Sequence, residues 1–240
     1  MDLHDKVAVV TGASRGLGRA FSESLVGAGA RVFGLARSEE DLRGVRDALG
    51  ERFTPVACDV TDRDTVDAAF ARVQDAAGRI DVLVNNAGLG RFDAVDDLDD
   101  DDWHVQVDTN LTGLFYCTQA AVAAMKAQHE ADGSIAHIVN IASVAGLIGN
   151  PKISAYNATK FGVRGFSEAT MKELRPHGIK VTCVYPGSVD THFADVAGTP
   201  GNPNAMRPES VAATVLHVLQ TPDNYLISEV VMRPMKVGGA

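Results

Sequence analysis

A serine, a tyrosine and a lysine in the second half of the sequence have side chains that can move a proton at neutral pH. Tyr156 and Lys160 are four residues apart, so on a helix they lie on the same face and the phenol is next to the ammonium group. Ser143 follows an apolar run that predicts a strand. Its hydroxyl is suited to hydrogen-bond the oxygen that exchanges a proton with the tyrosine, and so to stabilise charge that develops there.

The spacing of Tyr156 and Lys160 suggests how a tyrosine becomes a useful acid or base. A free tyrosine has a pKa of about 10. A cation about 4 Å away contributes at most about 4 kcal/mol at an effective dielectric constant of about 20, which equals roughly three pK units. We therefore expect Lys160 to bring the pKa of Tyr156 towards neutrality, so that Tyr156 takes a proton from an alcohol or donates one to an alkoxide. Two alternatives stay open, because such a pair also occurs by chance and Ser143 also suits a turn cap.

A glycine-rich turn follows the first predicted strand and opens a helix near Leu17. The residues from Thr11 to Gly18 read Thr-Gly-Ala-Ser-Arg-Gly-Leu-Gly. Glycines allow a tight turn and a close approach of the backbone to a pyrophosphate, while the free N–H groups of the helix start face the anion. An ordinary turn between a strand and a helix is the alternative, but the position after the first strand of an alternating α/β chain favours a dinucleotide site.

The end of the second predicted strand indicates which dinucleotide binds. An NAD site carries an acidic residue there for the adenosine ribose hydroxyls, whereas this chain has Ala36 followed by Arg37 and Ser38. No carboxylate would repel a 2′-phosphate, and the guanidinium of Arg37, with that of Arg15 in the glycine turn, offers a planar cationic partner for it. We therefore predict NADP(H). The alternative is that Arg37 is a solvated surface charge.

Two further strand ends carry polar residues. Asp59 and Val60 follow the third strand, and Asn86, Ala87 and Gly88 follow the fourth. Ligands of open α/β sheets bind at the carboxyl ends of the strands. We expect Asp59 to accept a hydrogen bond from the adenine amino group, and the backbone from Asn86 to Gly88 to pass the adenosine ribose. A paired amide at a strand end also serves to tie neighbouring turns together.

The elements that must position these residues form an alternating pattern of strands and helices. Seven short, nearly continuous apolar runs are typical of strands buried on both faces of a parallel sheet. These runs are Lys6 to Thr11, Arg31 to Ala36, Phe53 to Cys58, Ile80 to Asn85, Ile135 to Ile141, Ile179 to Tyr185 and Tyr225 to Met232. The alternation predicts an α/β chain with a single-domain Rossmann fold over residues 1–240, a seven-stranded, mostly parallel, doubly wound sheet with helices on both faces.

Two segments stand out from this pattern. The stretch from Asp190 to Arg207 is rich in glycine and proline and has no period, as is typical of a lid over a site. The acidic run from Asp96 to Asp102 lacks the spacing and the glycine of a calcium loop. It precedes a helical pattern, so we interpret it as a helix N-terminus in which carboxylates accept from free N–H groups.

Composition restricts the partners. The 240 residues carry a formal net charge of -9, which disfavours nucleic acid and anionic membranes as partners. No secretion signal and no apolar stretch of about eighteen residues is visible, so we expect a cytoplasmic protein without a membrane span.

Cys58, Cys117 and Cys183 are far apart within apolar runs, which favours buried free thiols over disulfides or a metal site, and we expect no metal.

Taken in order, these motifs resemble the short-chain dehydrogenase/reductase family in its compact form, over essentially the whole chain. The match consists of the glycine turn, Asp59, the sequence Asn85-Asn86-Ala87-Gly88, Asn110, Ser143, the Tyr156–Lys160 pair and Pro186-Gly187. The resemblance implies a catalytic tetrad of Asn110, Ser143, Tyr156 and Lys160. In it, the backbone at Asn110 bends a helix and holds a water that relays protons to Lys160, and Lys160 also binds the nicotinamide ribose.

The same resemblance implies that Val189 and Thr191 contact the nicotinamide carboxamide. The residues expected at the cofactor are Gly12, Ser14, Arg15, Gly16, Leu17, Gly18, Arg37, Ser38, Asp59, Val60, Asn86, Ala87, Gly88, Tyr156, Lys160, Pro186, Gly187, Val189 and Thr191. The expected substrate is a small carbonyl compound or alcohol. We also expect a homodimer or homotetramer that pairs the predicted helices from Trp103 to Gln128 and from Ala155 to Arg175. The first of these helices has more apolar surface than one sheet-facing stripe requires, and the resemblance suggests that such helices pair between subunits.

Two other functions stay open. One is a 3-oxoacyl-carrier-protein reductase, whose acidic carrier would meet Lys126 and Lys172, although the acidic composition disfavours such docking. The other is a catalytically silent protein that senses NADP(H) or binds a partner, which the presence of all four tetrad residues disfavours. The C-terminal part of the chain reads Ser228-Glu229-Val230-Val231-Met232-Arg233-Pro234 where many relatives have a glycine-rich segment. The sequence does not identify the substrate.

Overall fold

A computed structural model of the protein describes residues 1–198 and 201–236. Seven strands form one sheet in the order β3-β2-β1-β4-β5-β6-β7, and every neighbouring pair is parallel. The strands are β1 Val7–Thr11, β2 Arg31–Ala36, β3 Phe53–Ala57, β4 Val82–Asn85, β5 Ala136–Ile141, β6 Ile179–Pro186 and β7 Glu229–Met232. The predicted fold class is confirmed. The direction in which the strands are added reverses between β1 and β4, and this switch point is where open α/β sheets bind ligands.

The helices of the described residues lie on both faces of the sheet. They are α1 Gly16–Gly27, α2 Glu39–Leu49, α3 Arg63–Ala77, α4 Asp100–Val107, α5 Gly113–Asp132, α6 Ser154–Leu174, α7 Phe193–Val196 and α8 Pro208–Leu219. Side chains alternate along a strand, so Val7 and Val9 of β1 pack with one apolar layer, and Ala8 and Val10 pack with the other. All residues of β1 are buried, which explains why its sequence is continuously apolar.

Several predicted boundaries need correction. The last strand begins at Glu229 rather than at Tyr225, because residues before it touch β6 only through single hydrogen bonds such as that from the Cys183 N–H to the Ser228 carbonyl. The fourth begins at Val82, after Asp81, whose carboxylate accepts from the Val7 N–H. The helix predicted from Trp103 to Gln128 is three consecutive helical segments, α4, a π-helical turn at Asp108–Thr112, and α5.

The acidic run behaves as predicted. The Asp99 carboxylate accepts from the Asp101 N–H, and the next three residues are the acidic first turn of α4. The cysteines Cys58, Cys117 and Cys183 are buried and free, also as predicted. None of the helices in the two described ranges is long and apolar enough to cross a lipid bilayer.

A histidine inside the sheet predicts sensitivity of the fold to acid. His137 of β5 is buried, with its Nε2 2.8 Å from the hydroxyl oxygen of Thr182 on β6. The Thr182 hydroxyl donates to the Ile227 carbonyl, so its oxygen accepts from the Nε2–H of His137. Burial, helped by the positive charge of Lys180, lowers the pKa of His137 to about 3. Unfolding exposes the ring and restores a pKa of about 6.5.

Between these two pKa values the unfolded chain binds a proton that the folded chain does not, so stability falls as the pH falls below about 6.5. We expect the free energy of unfolding to drop by about 2 kcal/mol from this group between about pH 7 and about pH 5. Urea unfolding of the parent and of His137→Gln at both pH values measures it. The variant keeps a side-chain donor for Thr182 and should lose that part of the pH dependence; an identical pH dependence in both proteins would contradict the assignment.

Candidate active site

The glycine turn lies at the carboxyl end of β1 and is shaped for close approach. Gly12 and Gly16 have φ angles of 65° and 54°, which favour glycine. A Cβ at Gly18 would lie 2.1 Å from the Gly12 carbonyl oxygen, so no other residue fits there without moving the turn. The helix that follows starts at Gly16, one residue before the predicted start. The turn is thus a cradle of exposed backbone at the start of a helix, which suits a phosphate group.

The ends of β1 and β4 are joined by side chains. The Asn86 amide donates to the carbonyl oxygens of Thr11 and Gly12 at 2.9 and 3.4 Å. The Thr11 hydroxyl oxygen accepts from the N–H groups of Asn86 and Ala87. The Asn86 side chain therefore ties the two strand ends together, as the alternative interpretation predicted, and any contact from this segment to a ligand is left to the backbone. Thr11 was missed as a positioning residue.

The predicted adenosine side of the site lies next to this turn. Ser38 begins α2, and its hydroxyl oxygen accepts from the Asp41 N–H, so it is a helix cap. The Asp59 carboxylate accepts from the N–H and the hydroxyl of Thr61, which fixes it at the end of β3. Arg15 and Arg37 are exposed. Within the described ranges, the arginines that form ion pairs with carboxylates do not include Arg15 or Arg37.

The tetrad residues predicted from the sequence meet at the carboxyl ends of β4 and β5. The Lys160 ammonium donates to the Ile141 carbonyl at 2.9 Å and lies 5.6 Å from the centre of the Tyr156 ring. A Cβ at Gly88 would lie 3.1 Å from Asn110 Oδ1 and 3.5 Å from Lys160 Nζ. A side chain at residue 88 would therefore press on the Asn110 amide, and Gly88 avoids this contact.

Asn110 sits in the π-helical turn between α4 and α5 and is buried. Its Oδ1 accepts from the Leu89 N–H at 2.8 Å, and its amide donates to the Leu89 carbonyl and to the Thr159 hydroxyl oxygen. The Thr159 hydroxyl in turn donates to the Tyr156 carbonyl. π-turns often mark functional positions in helices, and this one directs the Asn110 side chain towards the loop after β4. Thr159 was not singled out in the sequence.

Ser143 serves as a turn cap and also reaches the tyrosine. Its hydroxyl oxygen accepts from the Ala145 N–H at 3.1 Å, and its hydroxyl is 3.4 Å from the Pro186 carbonyl. It also lies close enough to the Tyr156 phenol to oppose the rise that burial causes in the phenol pKa. The cap role and the role beside the phenol are therefore compatible. Nearby, Asn157 donates to the carbonyls of Ala145 and Ile148 and holds this turn on α6.

The expected lowering of the tyrosine pKa is wrong for this structure. Burial raises the pKa of Tyr156 to about 12, against the smaller opposite effect of Ser143. Burial also lowers the pKa of Lys160 to about 8. The sequence argument included the attraction between phenolate and ammonium but not the cost of removing both charges from water, and that cost dominates. The phenol is therefore protonated at neutral pH.

The remaining predicted residues follow β6. Pro186 ends this strand, and the Gly187 N–H donates to the Met232 carbonyl, with Pro234 close to its Cα. Val189 forms a bridge with Met206, which closes the base of the segment read as a lid. Thr191 packs near Gly16 of the glycine turn. Within that segment, Phe193–Val196 form α7, and residues 199–200 lie outside the described residues.

Comparisons with known proteins agree with this geometry. The short chain dehydrogenase family matches residues 6–199. The 3-oxoacyl-[acyl-carrier-protein] reductase FabG of Vibrio harveyi is 35% identical over 238 residues, covering 95% of this chain and 96% of the relative.

Two solved structures have the same fold. A metagenomic short-chain oxidoreductase in complex with NADP has a TM-score of 0.85 and 35% identity, covering 99% of this chain and all of the other. The 3-ketoacyl-(acyl-carrier-protein) reductase of Brucella melitensis, complexed with NADH, has a TM-score of 0.89 and 25% identity, covering 97% of this chain and 98% of the other. On the match to the family and the identity of these relatives, the chain belongs to the short-chain dehydrogenase family of oxidoreductases.

Proposed function

We propose that the protein is an NADP(H)-dependent oxidoreductase that transfers a hydride between the nicotinamide and a carbonyl compound or alcohol, with Tyr156 as the general acid or base. The observation that carries this proposal is the convergence of four side chains beside the glycine cradle. Tyr156 and Lys160 on α6, Ser143 after β5 and Asn110 in the π-turn come from three parts of the chain and meet at the carboxyl edge of the sheet. A structural role alone does not require a buried lysine next to a buried tyrosine, because burying a charge is costly.

The residues present fit a dinucleotide. In the cradle, Gly12 and Gly16 have positive φ angles and Gly18 has no room for a Cβ. Because α1 begins there without a side-chain cap, the backbone N–H groups at its start suit a pyrophosphate. Thr191 lies next to Gly16, and it and Lys160 are the residues that the family resemblance implies for binding the nicotinamide half. When bound, the cofactor supplies or accepts the hydride.

The protonation state of Tyr156 suits the role of acid in the reduction of a carbonyl. Because burial raises the pKa of Tyr156 to about 12, the phenol keeps its proton at physiological pH and is ready to donate it to the substrate oxygen. Ser143 is placed to hydrogen-bond the same oxygen and to stabilise its developing negative charge. The pKa of Lys160, lowered to about 8, still leaves most of this side chain charged at neutral pH, so its positive charge stabilises the phenolate that remains.

A screen of NADPH oxidation tests the proposal. The purified protein is mixed with NADPH and with ketones, aldehydes, 3-oxoacyl thioesters or pterins, and loss of NADPH is followed by absorbance. We expect turnover with at least one of these carbonyl classes. Tight NADPH binding without turnover on any of them would instead favour a protein that senses the cofactor.

The preference for NADP(H) over NAD(H) rests on the residues at the end of β2. Ala36 stands where an acidic residue would bind the ribose hydroxyls, and Arg37 and Arg15 are exposed nearby. A charge-assisted hydrogen bond contributes about 1.5–3 kcal/mol, so Arg37→Asp should weaken NADPH binding by roughly 10-fold to 100-fold and abolish or reverse the preference.

Fluorescence titration of both cofactors against the parent and Arg37→Asp measures this effect. Arg46→Asp is the matched control, because it changes an arginine at the far end of α2 by the same charge. The control should leave both dissociation constants nearly unchanged. Equal dissociation constants for NADPH and NADH in the parent would contradict the cofactor assignment.

A second candidate function is the reduction of a 3-oxoacyl group on a carrier protein. Two relatives carry this activity in their names, and this observation favours it. The net charge of -9 opposes docking of an acidic carrier, and Lys172, one of the two lysines considered for it, is paired with Glu168. The thioester arm of the screen distinguishes the two candidates.

We also propose that the chain self-associates through α5 and α6. Phe115 on α5 and Phe161 on α6 are 41% and 42% exposed. Exposed aromatic side chains on helix faces are typical of subunit interfaces.

A further inference from the structure

Two phenylalanines cover the ring of the proposed proton donor. The ring centres of Phe92 and Phe193 each lie 5.5 Å from that of Tyr156, and 6.2 Å from each other. The planes of the three rings are inclined by 53° to 61°, an arrangement that aromatic rings favour because the positive edge of one meets the negative face of another. One ring comes from the loop after β4, one from α6 and one from α7, so three separate segments build this cluster.

The backbone beneath the two phenylalanines is adapted to hold them. Gly90 is buried, and a Cβ there would lie 2.6 Å from Cε1 of Phe92 and 2.9 Å from Cζ of Phe193. Both rings therefore pack directly on the main chain at Gly90. Any larger residue at this position must displace them.

Arg91 fixes the segments that carry the rings. Its guanidinium donates to the Val196 carbonyl at the end of α7, and its Nε lies 3.4 Å from the Asp102 carboxylate on α4. Its backbone N–H donates to the buried Gln106 side chain. These contacts join the loop that carries Phe92 to the helix that carries Phe193. They also engage the positive charge of Arg91, which is then not free to bind an anionic substrate.

We propose that Phe92 and Phe193 form the specificity pocket of the enzyme and that its substrate is a carbonyl compound with an aromatic ring next to the carbonyl carbon. This inference rests on the proposed function. Phe92 and Phe193 lie beside the ring of Tyr156 and are themselves only partly buried. A carbonyl compound whose oxygen reaches Tyr156 and Ser143 therefore places its substituent against the exposed parts of these two rings. An aryl group continues the inclined packing of the cluster, whereas a short alkyl group does not.

Kinetics with two methyl ketones tests the pocket. Acetophenone and butanone share the carbonyl and the methyl group. The second substituent is a phenyl group in acetophenone and an ethyl group in butanone. We expect the parent to have a higher kcat/KM for acetophenone with NADPH. Phe92→Ala and Phe193→Ala should each lower this value by roughly 10-fold and reduce the ratio of kcat/KM for acetophenone to that for butanone, while the dissociation constant of NADPH stays within about 2-fold.

Two further variants distinguish the effect of displacing the two rings from the effect of removing them. Gly90→Ala keeps both phenylalanines but displaces them, so it should also reduce the preference for acetophenone. Val95→Ala is the control, since Val95 lies in the same loop and is 80% exposed, and it should change neither substrate. A parent that prefers butanone, or variants that keep the parent's preference, would overturn the pocket.

Binding of an unreactive carbonyl compound gives a readout that does not need turnover. Calorimetric titration of the NADPH complex with benzamide and with propanamide should show tighter binding of benzamide to the parent, and loss of this difference in Phe92→Ala and Phe193→Ala. If no carbonyl compound is reduced, the proposed function fails, and these titrations still decide whether the pocket selects an aromatic ring. Equal binding of the two amides by the parent would contradict the pocket even if the enzyme is active.

Discussion

Tyr156→Phe is expected to lower the turnover number for carbonyl reduction by between about 10²-fold and 10⁴-fold, the contribution typical of a positioned general acid. The substitution removes the transferable proton and keeps the ring, which still packs against Phe92 and Phe193. The substrate pocket and the glycine cradle are therefore preserved. The dissociation constant of NADPH should barely change, because the cradle, and not the phenol, holds most of the cofactor.

Steady-state turnover and fluorescence titration of NADPH, measured on the same preparations, test this expectation. Tyr116→Phe on α5 is the matched control, because it removes the same hydroxyl from a tyrosine that contacts Arg63 and Phe115, outside the tetrad. It should leave turnover unchanged. Near-normal turnover in Tyr156→Phe, with the pH profile of the parent, would mean that the proton comes from another group.

Lys160→Met is expected to be the more harmful change, because the ammonium has two proposed partners. Its loss removes the positive charge that stabilises the phenolate of Tyr156, and it removes a charged donor to the ribose. We expect turnover to fall at least as far as in Tyr156→Phe, and NADPH to bind roughly 10-fold to 100-fold more weakly, as for the loss of a hydrogen bond from a charged group. Methionine keeps most of the buried stem of Lys160.

The control for this variant is Lys172→Met on the same helix, where the lysine is exposed and pairs with Glu168. It should alter neither turnover nor cofactor binding. Urea unfolding establishes that Lys160→Met is folded. If Lys160→Met lost turnover while NADPH bound as in the parent, the lysine would act on the tyrosine alone and its proposed ribose contact would be wrong.

The fold could be predicted because its signals are local and agree with one another. The strand β1 is buried at every position, so its continuous apolar run correctly indicated a central parallel strand. The strand β7 was predicted four residues too long at its start, since Tyr225 belongs to an apolar stretch but is exposed and lies before the pairing with β6 begins. Apolarity alone does not show where pairing starts.

The candidate site was predicted only in part, for a physical reason. The residues of the glycine turn are close to one another in sequence, and so are Tyr156 and Lys160. Their spacing alone therefore indicates which of these groups are neighbours. The contacts of Thr11 with Asn86 and of Asn110 with Thr159 join distant segments, as does the packing of Phe92 on Phe193. A polar residue at the last position of a buried strand, as at Thr11, was the one signal that the sequence offered for these contacts.

The pKa of Tyr156 shows a second limit. The direction of the pKa shift depends on how completely the phenol and the ammonium group are removed from water. The phenol is buried because Phe92, Phe193 and the turn at Ser143 pack around it. The spacing in the sequence predicts that Lys160 is a neighbour of Tyr156, but it does not predict that both side chains are buried. A phenol that keeps its proton at neutral pH is in the state that the acid role of Tyr156 requires.

The most direct test of hydride transfer follows the isotope from cofactor to product. NADPH with deuterium at the transferable position of the nicotinamide is incubated with the protein and the best carbonyl substrate from the screen, and the product alcohol is examined by mass spectrometry. We expect deuterium at the carbinol carbon with the parent, and a rate reduced by about 10²-fold or more with Tyr156→Phe. Bound NADPH with no deuterated alcohol from any carbonyl class, or equal rates for the two proteins, would contradict the proposed mechanism.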